Sequence, residues 1–206
     1  MIVILNPILD DSEWERLEMQ MITFLTEFVK HPKNTGAIAP SSNRLAKKMV
    51  GAINFEEAKY ILELGPGTGS FTREIIKRKK EHTIFILIEI NEVFFKKLQK
   101  QFKDDPNILV IHGSAENIKK YIEELQIEKV DYVLSGLPFT SLPREVSARI
   151  LSSVMESLSE DGEFITFQYS LAKKAFIQSF FQEISLKKVW LNLPPAHVFS
   201  CRKACT

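Results

Sequence analysis

Tyr60-Ile61-Leu62-Glu63-Leu64-Gly65-Pro66-Gly67-Thr68-Gly69-Ser70-Phe71 is the stretch that decides the fold. The apolar run from Tyr60 to Leu64 reads as a strand, three alternate glycines follow, and a helical stretch over 71–79 starts at Phe71. Strand, glycine loop and helix in that order open an α/β sheet, whose ligands bind beyond the carboxyl ends of its strands. Glycines there let the backbone turn tightly and approach a ligand. A dinucleotide fingerprint needs G-x-G-x-x-G, so that a helix N-terminus receives a pyrophosphate. Here the sixth position is Ser70, the spacing is G-x-G-x-G, and an acid, Glu63, precedes it. Glu63 would crowd a pyrophosphate but suits a cationic amino-acid ligand. The bland alternative is a glycine turn with no ligand.

Outward from this unit the apolar period keeps switching. Strand-like runs over 83–88, 108–111, 130–134 and 163–169 alternate with helical ones over 92–102, 115–125, 144–158 and 173–181. Such alternation predicts right-handed βαβ crossovers and a parallel sheet with helices on both faces. The rhythm breaks late: 186–193 and 196–201 are separated only by Pro194-Pro195 and its neighbours, too short for a parallel crossover. They are expected to pair as an antiparallel hairpin at one side of the sheet. Upstream, Trp14, Leu17, Met21, Phe24, Leu25 and Phe28 form one face of a helix over 12–30, with Ser12 and Glu15 as a capping box and His31-Pro32 as its stop. A loop and a second helix over 42–53 follow. The expected organisation is an N-terminal helical extension or lid over 1–58 and one compact unit over 59–206.

Composition narrows the classes. The 206 residues are 45% hydrophobic and 26% charged with a formal net charge of +1, which excludes a disordered tail, a collagenous chain and a disulfide scaffold. There is no global basic field to attract nucleic acid, although Lys173, Lys174, Lys187, Lys188, Arg202 and Lys203 cluster late in the chain. Cys201 and Cys205 read as free thiols of a reducing compartment. With no run of eighteen apolar residues and no signal-peptide pattern, the expected location is cytoplasmic, at most peripheral to the inner face of a membrane.

Glu89, twenty-two residues beyond Gly67, ends the second strand beside Ile90, where a carboxylate accepts both hydroxyls of a ribose. After the third strand, His112-Gly113-Ser114-Ala115-Glu116 either borders an adenine ring or supplies Ser114 as a helix cap. Glu63-Leu64-Gly65-Pro66-Gly67-Thr68-Gly69 with Glu89 resembles the class I S-adenosylmethionine-dependent methyltransferases. That resemblance implies a Rossmann-like, mostly parallel seven-stranded sheet whose last strand is antiparallel, and makes 59–206 the catalytic domain. It implies S-adenosylmethionine as cofactor, its methionine part held by Gly65, Pro66, Gly67, Thr68 and Gly69, its ribose by Glu89 and Ile90, and its adenine by Ser114 and Ala115.

The fourth strand runs into Ser135-Gly136-Leu137-Pro138-Phe139. This resembles the Asn-Leu-Pro-Phe/Tyr loop of rRNA adenine dimethyltransferases, but Gly136 stands where they carry an amide or carboxylate. Ser-Gly-Leu-Pro-Phe is instead similar to bacterial phospholipid N-methyltransferases, as are 36–42 with Ser41 and Ser42, Phe167-Gln168-Tyr169-Ser170, and Asn192-Leu193-Pro194-Pro195-Ala196. The chain is expected to end with the sheet, without the helical RNA-binding domain those rRNA enzymes usually carry. The implied activity is methylation of a phospholipid head-group amine, phosphatidylethanolamine to phosphatidylcholine in type. The alternative is an rRNA adenine N6-methyltransferase-like or small-amine enzyme. The implied catalytic set is Ser135, Gly136, Leu137, Pro138, Phe139 and Tyr169, with Ser41, Ser42 and Ser135 also at the cofactor.

The expected reaction is in-line attack of a neutral amine on the sulfonium methyl, in which alignment contributes roughly 7–11 kcal/mol and a base only ~10²–10⁴-fold. Tyr169, Ser135 or a water is the candidate base; His31, His112 and His197 have no partner visible in sequence. Phe139 either holds the developing cation by its ring face or is a core aromatic. Lys33, Arg44, Arg144 and Arg202 are candidate donors to a lipid phosphate. No spacing of His, Cys, Asp or Glu suggests a metal. The Trp14–Phe28 stripe either lies in a bilayer interface or docks on the catalytic domain.

Overall fold

The computed structural model describes residues 43–190, 192 and 195–203. The 12–30 stripe, His31, Lys33, Ser41, Ser42 and Cys205 lie outside the described residues. The strands are β1 (Tyr60–Leu64), β2 (Ile84–Glu89), β3 (Ile108–His112), β4 (Val130–Ser135), β5 (Leu158–Gln168), β6 (Glu183–Val189) and β7 (Ala196–Arg202). They form one sheet in the order β3-β2-β1-β4-β5-β7-β6. Strands β1 to β5 pair in parallel, and β7 lies antiparallel to both β5 and β6. The expected seven-stranded Rossmann-like sheet with its antiparallel ending is therefore present. Within the hairpin β7 lies beside β5 and β6 forms the edge, and β6 spans Glu183–Val189 where 186–193 was expected.

Before β1 runs α1 (Asn43–Val50), and between the strands run α2 (Ser70–Ile76), α3 (Glu92–Phe102), a 3-10 turn (Ala115–Asn117) leading into α4 (Ile118–Glu124), α5 (Arg144–Ser157) and α6 (Lys174–Gln178). The central strands are buried on both faces, as helices on both sides require: Leu62, Leu64, Ile86, Val133 and Phe164 have no exposed surface. Alternation sets the faces. Ile61, Phe85, Leu134 and Ile165 join Leu45 and Met49 of α1 and Phe71 and Ile75 of α2 in one apolar cluster. That cluster includes residues on both sides of position 58, and α1 packs on α2 and reaches β5, β6 and β7. Each fully buried Leu or Met of α1 contributes roughly 1.5–3 kcal/mol relative to exposure.

Several other boundaries also differ from expectation, two of them at a cap and at a bulge. The 115–125 segment opens with a 3-10 turn that Ser114 caps, accepting the Glu116 N–H at 3.2 Å. Strand β5 begins at Leu158, not 163: Val130 pairs with Leu158 and Tyr132 with Glu163, so an irregular stretch over 159–162 is accommodated between two paired segments.

The chain winds outward from β1 through β2 to β3, then returns to lay β4 on the other flank of β1. The switch point lies between the carboxyl ends of β1 and β4, the crevice where open α/β sheets bind ligands.

Candidate functional site

Two loops meet at that crevice. The first, after β1, has all three glycines at positive φ: Gly65 at 65°, Gly67 at 53° and Gly69 at 76°. Side chains would be strained in this left-handed region. At Gly67 a Cβ would meet nothing within 4 Å, so the backbone there faces open space rather than a packed neighbour. At Gly65 a Cβ would come within 2.8 Å of Leu137 Cδ2, on the second loop.

Glu89 ties the first loop to β2. Its Oε2 accepts the Gly67 N–H at 2.9 Å and its Oε1 the Asn91 N–H at 2.8 Å. A carboxylate offers about four lone-pair sites, so acceptor capacity remains for ribose hydroxyls. Burial raises the Glu89 pKa, partly opposed by these backbone hydrogen bonds. Ile90 is half-buried, and its carbonyl lies 3.1 Å from His112 Nε2, whose ring stacks on Phe95. Ser114, buried at the end of β3, spends its hydroxyl as a helix cap, with Ala115 half-buried beside it. The Gly113 N–H donates to the Glu89 carbonyl at 3.1 Å, which holds this turn against the end of β2.

Glu63 lies between Leu87 of β2 and Leu134 of β4 and is fully buried. Its Oε2 accepts the Thr72 hydroxyl of α2 at 2.8 Å, while its Oε1 has no hydrogen-bond partner. Burial is the main reason its pKa rises to about 8; the Thr72 hydrogen bond opposes this and the Glu89 charge adds to it. A buried carboxyl with an orphaned oxygen is costly unless a ligand supplies a donor. A cationic amino group does so, and the open backbone at Gly67 leaves room for the molecule that carries it. The residues present therefore fit S-adenosylmethionine, with its amino-acid end toward Glu63 and the glycine loop and its ribose at Glu89.

The second loop, after β4, is close-packed. Ser135 is buried; its Oγ accepts the Leu137 N–H at 3.2 Å and its carbonyl the Thr166 hydroxyl at 3.4 Å. The Gly136 N–H donates to the Leu64 carbonyl at 3.1 Å, and a Cβ there would lie 3.1 Å from the Gly65 carbonyl oxygen. The two loops are thus in direct contact at Gly65 and Gly136. Leu137 is buried and Pro138 half-buried. Phe139 is 0% exposed and packs edge-on against Phe164, 6.1 Å between ring centroids. The expectation that its ring face receives an amine does not fit this placement: the ring is enclosed by the core, the alternative kept open from sequence.

Beyond β5, Tyr169 is half-buried and its hydroxyl hydrogen-bonds the Asn192 side chain; burial raises its pKa and that hydrogen bond opposes the rise. Phe71, Phe167 and Tyr169 form a line of edge-to-face rings, 5.8 and 5.4 Å between centroids, from the first turn of α2 to just beyond β5. Two residues here were not singled out as site residues from sequence. Gln168 is 2% exposed with its Nε2 unpartnered, and Asn192 is 4% exposed. Both stood inside stretches recognised as similar to a family; a polar residue closing an apolar strand was the available signal for Gln168. Arg202 lies at the opposite end of the sheet, where it binds Glu163 at 2.8 Å, so it is no donor to a ligand in this crevice. Among the described residues no cluster of His, Cys, Asp or Glu has the make-up of a metal site, and no helix is long and apolar enough to cross a membrane.

Residues 41–184 match the family model described as ribosomal RNA adenine dimethylase. The chain is 33% identical over 181 residues to an ornithine lipid N-methyltransferase of Singulisphaera acidiphila, covering 87% of this chain and 94% of that protein. It is 26% identical over 146 residues to ribosomal RNA small subunit methyltransferase A of Dehalococcoides mccartyi, covering 70% of this chain but 47% of that protein. Among solved structures, TrmN from Thermus thermophilus superposes with a TM-score of 0.61 at 13% identity, over 78% of this chain and 48% of that one, a likeness of fold.

Proposed function

The chain belongs to the ribosomal RNA adenine dimethylase family and is an S-adenosylmethionine-dependent methyltransferase; from that premise we propose that it methylates the amine of a membrane-lipid head group, of the phosphatidylethanolamine type. The observation that carries this reading is Gly136. The exocyclic nitrogen of adenine shares its lone pair with the ring, and a side-chain oxygen at this position helps to localise it. An alkyl amine has a localised lone pair once it has lost its proton, and needs no such group. At 136 there is only backbone, wedged against the Gly65 carbonyl. The 33% identity to a lipid N-methyltransferase over nearly its whole length supports the same class.

When bound, S-adenosylmethionine supplies a methyl group on a cationic sulfur that departs as a neutral thioether. The chain's task is alignment and exclusion of water. Glu63 and Glu89 hold the amino-acid end and the ribose of the cofactor, and the contact of Gly65 with Leu137 fixes the acceptor loop relative to them. Ser135, Leu137, Pro138, Gln168 and Tyr169 line the acceptor side. Tyr169, with its pKa raised, stays protonated and orients the amine as a hydrogen-bonding neighbour; the proton of the ammonium leaves through water. Tyr169→Phe is expected to lower kcat/KM for the lipid about tenfold (~1.4 kcal/mol) while leaving cofactor affinity unchanged.

The deciding experiment offers methyl-labelled S-adenosylmethionine with phosphatidylethanolamine, ornithine lipid, ribosomal RNA and free ethanolamine, and separates the products. Label in the lipid fraction is expected; label confined to RNA overturns the reading. The RNA alternative is favoured by the family match and the Leu137-Pro138-Phe139 loop, but the enclosed Phe139 ring offers no stacking face to a base.

A further inference from the structure

The carboxyl rim of the β5–β7–β6 end carries exposed apolar and cationic groups that methyl transfer does not use. Trp190 is 70% exposed and Leu171 45% exposed, two of the large hydrophobic side chains left open to solvent. Strand register places them on one edge. Gln168, at the end of β5, pairs with His197 of β7, which pairs with Lys188 of β6. The ends of β5 and β6 are thus level and roughly 10 Å apart, two strand spacings. Leu171 and Trp190 follow three and two residues beyond those level positions. Trp190 is two residues before Asn192, which holds the Tyr169 hydroxyl, so the rim borders the acceptor side of the crevice.

Its charge has one sign. Over 169–190 the charged residues are Lys173, Lys174, Glu183, Lys187 and Lys188, and Glu183 stands at the far end of β6, ~17 Å along the strand from Lys188. The Lys188 ammonium lies 3.5 Å from the Trp190 ring centroid, while Lys173 and Arg144 both lie over Phe176, at 5.4 and 5.5 Å. Arg144 is followed by one acid, Glu145. Lysines on an edge strand also guard it against pairing with another sheet; an exposed Trp beside them does the opposite. An indole with an apolar body and an N–H, flanked by cations on apolar stems, matches the boundary between acyl chains and anionic head groups.

We propose that this rim, led by Trp190 and Lys188 with Leu171, docks on the surface of an anionic bilayer and brings the acceptor side of the crevice against the head groups. The inference rests on the lipid-amine reading and goes further by naming the surface that meets the membrane. Because the chain has two tryptophans, Trp14 and Trp190, the variant Trp14→Phe leaves Trp190 as sole reporter. The test adds this full-length variant to vesicles of brominated phosphatidylcholine with and without phosphatidylglycerol. Expected are a blue shift and severalfold quenching of Trp190 with the anionic vesicles, and about fivefold weaker binding in Lys188→Ala. Vesicle binding without quenching, or no binding, overturns the rim. Methyl transfer to lipid in detergent micelles is measured in parallel. Activity there with an unquenched Trp190 sinks the rim and spares the lipid reading; quenching with no lipid methylated in micelle or vesicle sinks the lipid reading and spares the rim.

Discussion

Along the carboxyl edge, the stretch carried by β1 to β3 places two buried carboxyl groups, Glu63 and Glu89, beside three left-handed glycines, whereas the stretch carried by β4 to β7 places Ser135, Gln168, Tyr169 and Asn192 and no acid among them. The proposed function accounts for the difference by what each half meets. On that reading the first half holds an ammonium at Glu63 and ribose hydroxyls at Glu89, donors that carboxylates accept. On the same reading the second faces an amine that reacts only without its proton. A carboxylate there would hold the ammonium form and raise the amine's pKa, so hydroxyl and amide groups suit it better. The seam between the halves is backbone against backbone, at Gly65 and Gly136.

The largest expected effect comes from Phe139, the acceptor-loop residue that the fold has taken into its core. Phe139→Ala should cost about 3–5 kcal/mol in urea unfolding, with cofactor affinity of the folded fraction unchanged. A loss under ~1 kcal/mol would return the ring to the acceptor pocket. Next, Glu89→Ala breaks the first half. It removes the acceptor for the Gly67 and Asn91 N–H groups and for the ribose, and should weaken cofactor binding by about 100-fold in calorimetry, leaving KM for the lipid amine nearly unchanged. Gln168→Glu imports the first half's chemistry into the second. The acidic limb of the kcat profile should move to higher pH by about 1 unit, with about tenfold lower turnover at neutral pH; an unmoved limb would place residue 168 away from the amine.

The smallest effect tests Glu63. In the folded protein without ligand it keeps its proton up to a pH of about 8, while the unfolded chain loses it near 4.5. Its contribution to stability is therefore complete below 4.5 and declines as pH rises through 8. A cationic ligand favours the ionised form, so cofactor binding near pH 7 should release up to about one proton, seen as a buffer-dependent binding enthalpy. Glu63→Gln should abolish that dependence.

Periodicity and punctuation carried most of the architecture. The 92–102 helix is found over Glu92–Phe102, capped by Asn91, because its apolar spacing and its cap are local properties. The glycine stretch was legible for the same reason: left-handed φ demands a residue type. What escaped was set by neighbours distant in the chain. Phe139 is buried by Phe164 on the next strand, and nothing in Leu137-Pro138-Phe139 distinguishes a stacking ring from a core ring. Glu63 is recognisable as an acid before a glycine loop, yet its orphaned oxygen and raised pKa arise only when Leu87 and Leu134 close around it. Gln168 and Asn192 owe their burial to the hairpin packed beside β5. The start of β5 at Leu158 was hidden by Ser159-Glu160-Asp161-Gly162, which reads as a turn and is accommodated as an irregularity inside a strand.

The position of β7 also constrains the order in which the molecule is assembled. Strand β6 leaves the ribosome before β7, yet it has no neighbour in the sheet until β7 has slotted in beside β5. Until then the nascent chain carries two open edges, on β5 and on the unattached β6, which are sites for mispairing with other chains. Asn192 arrives with the same late hairpin and supplies the partner of Tyr169, so one insertion event both seals the sheet and finishes the proposed acceptor wall, and a translation product cut short before β7 would have neither.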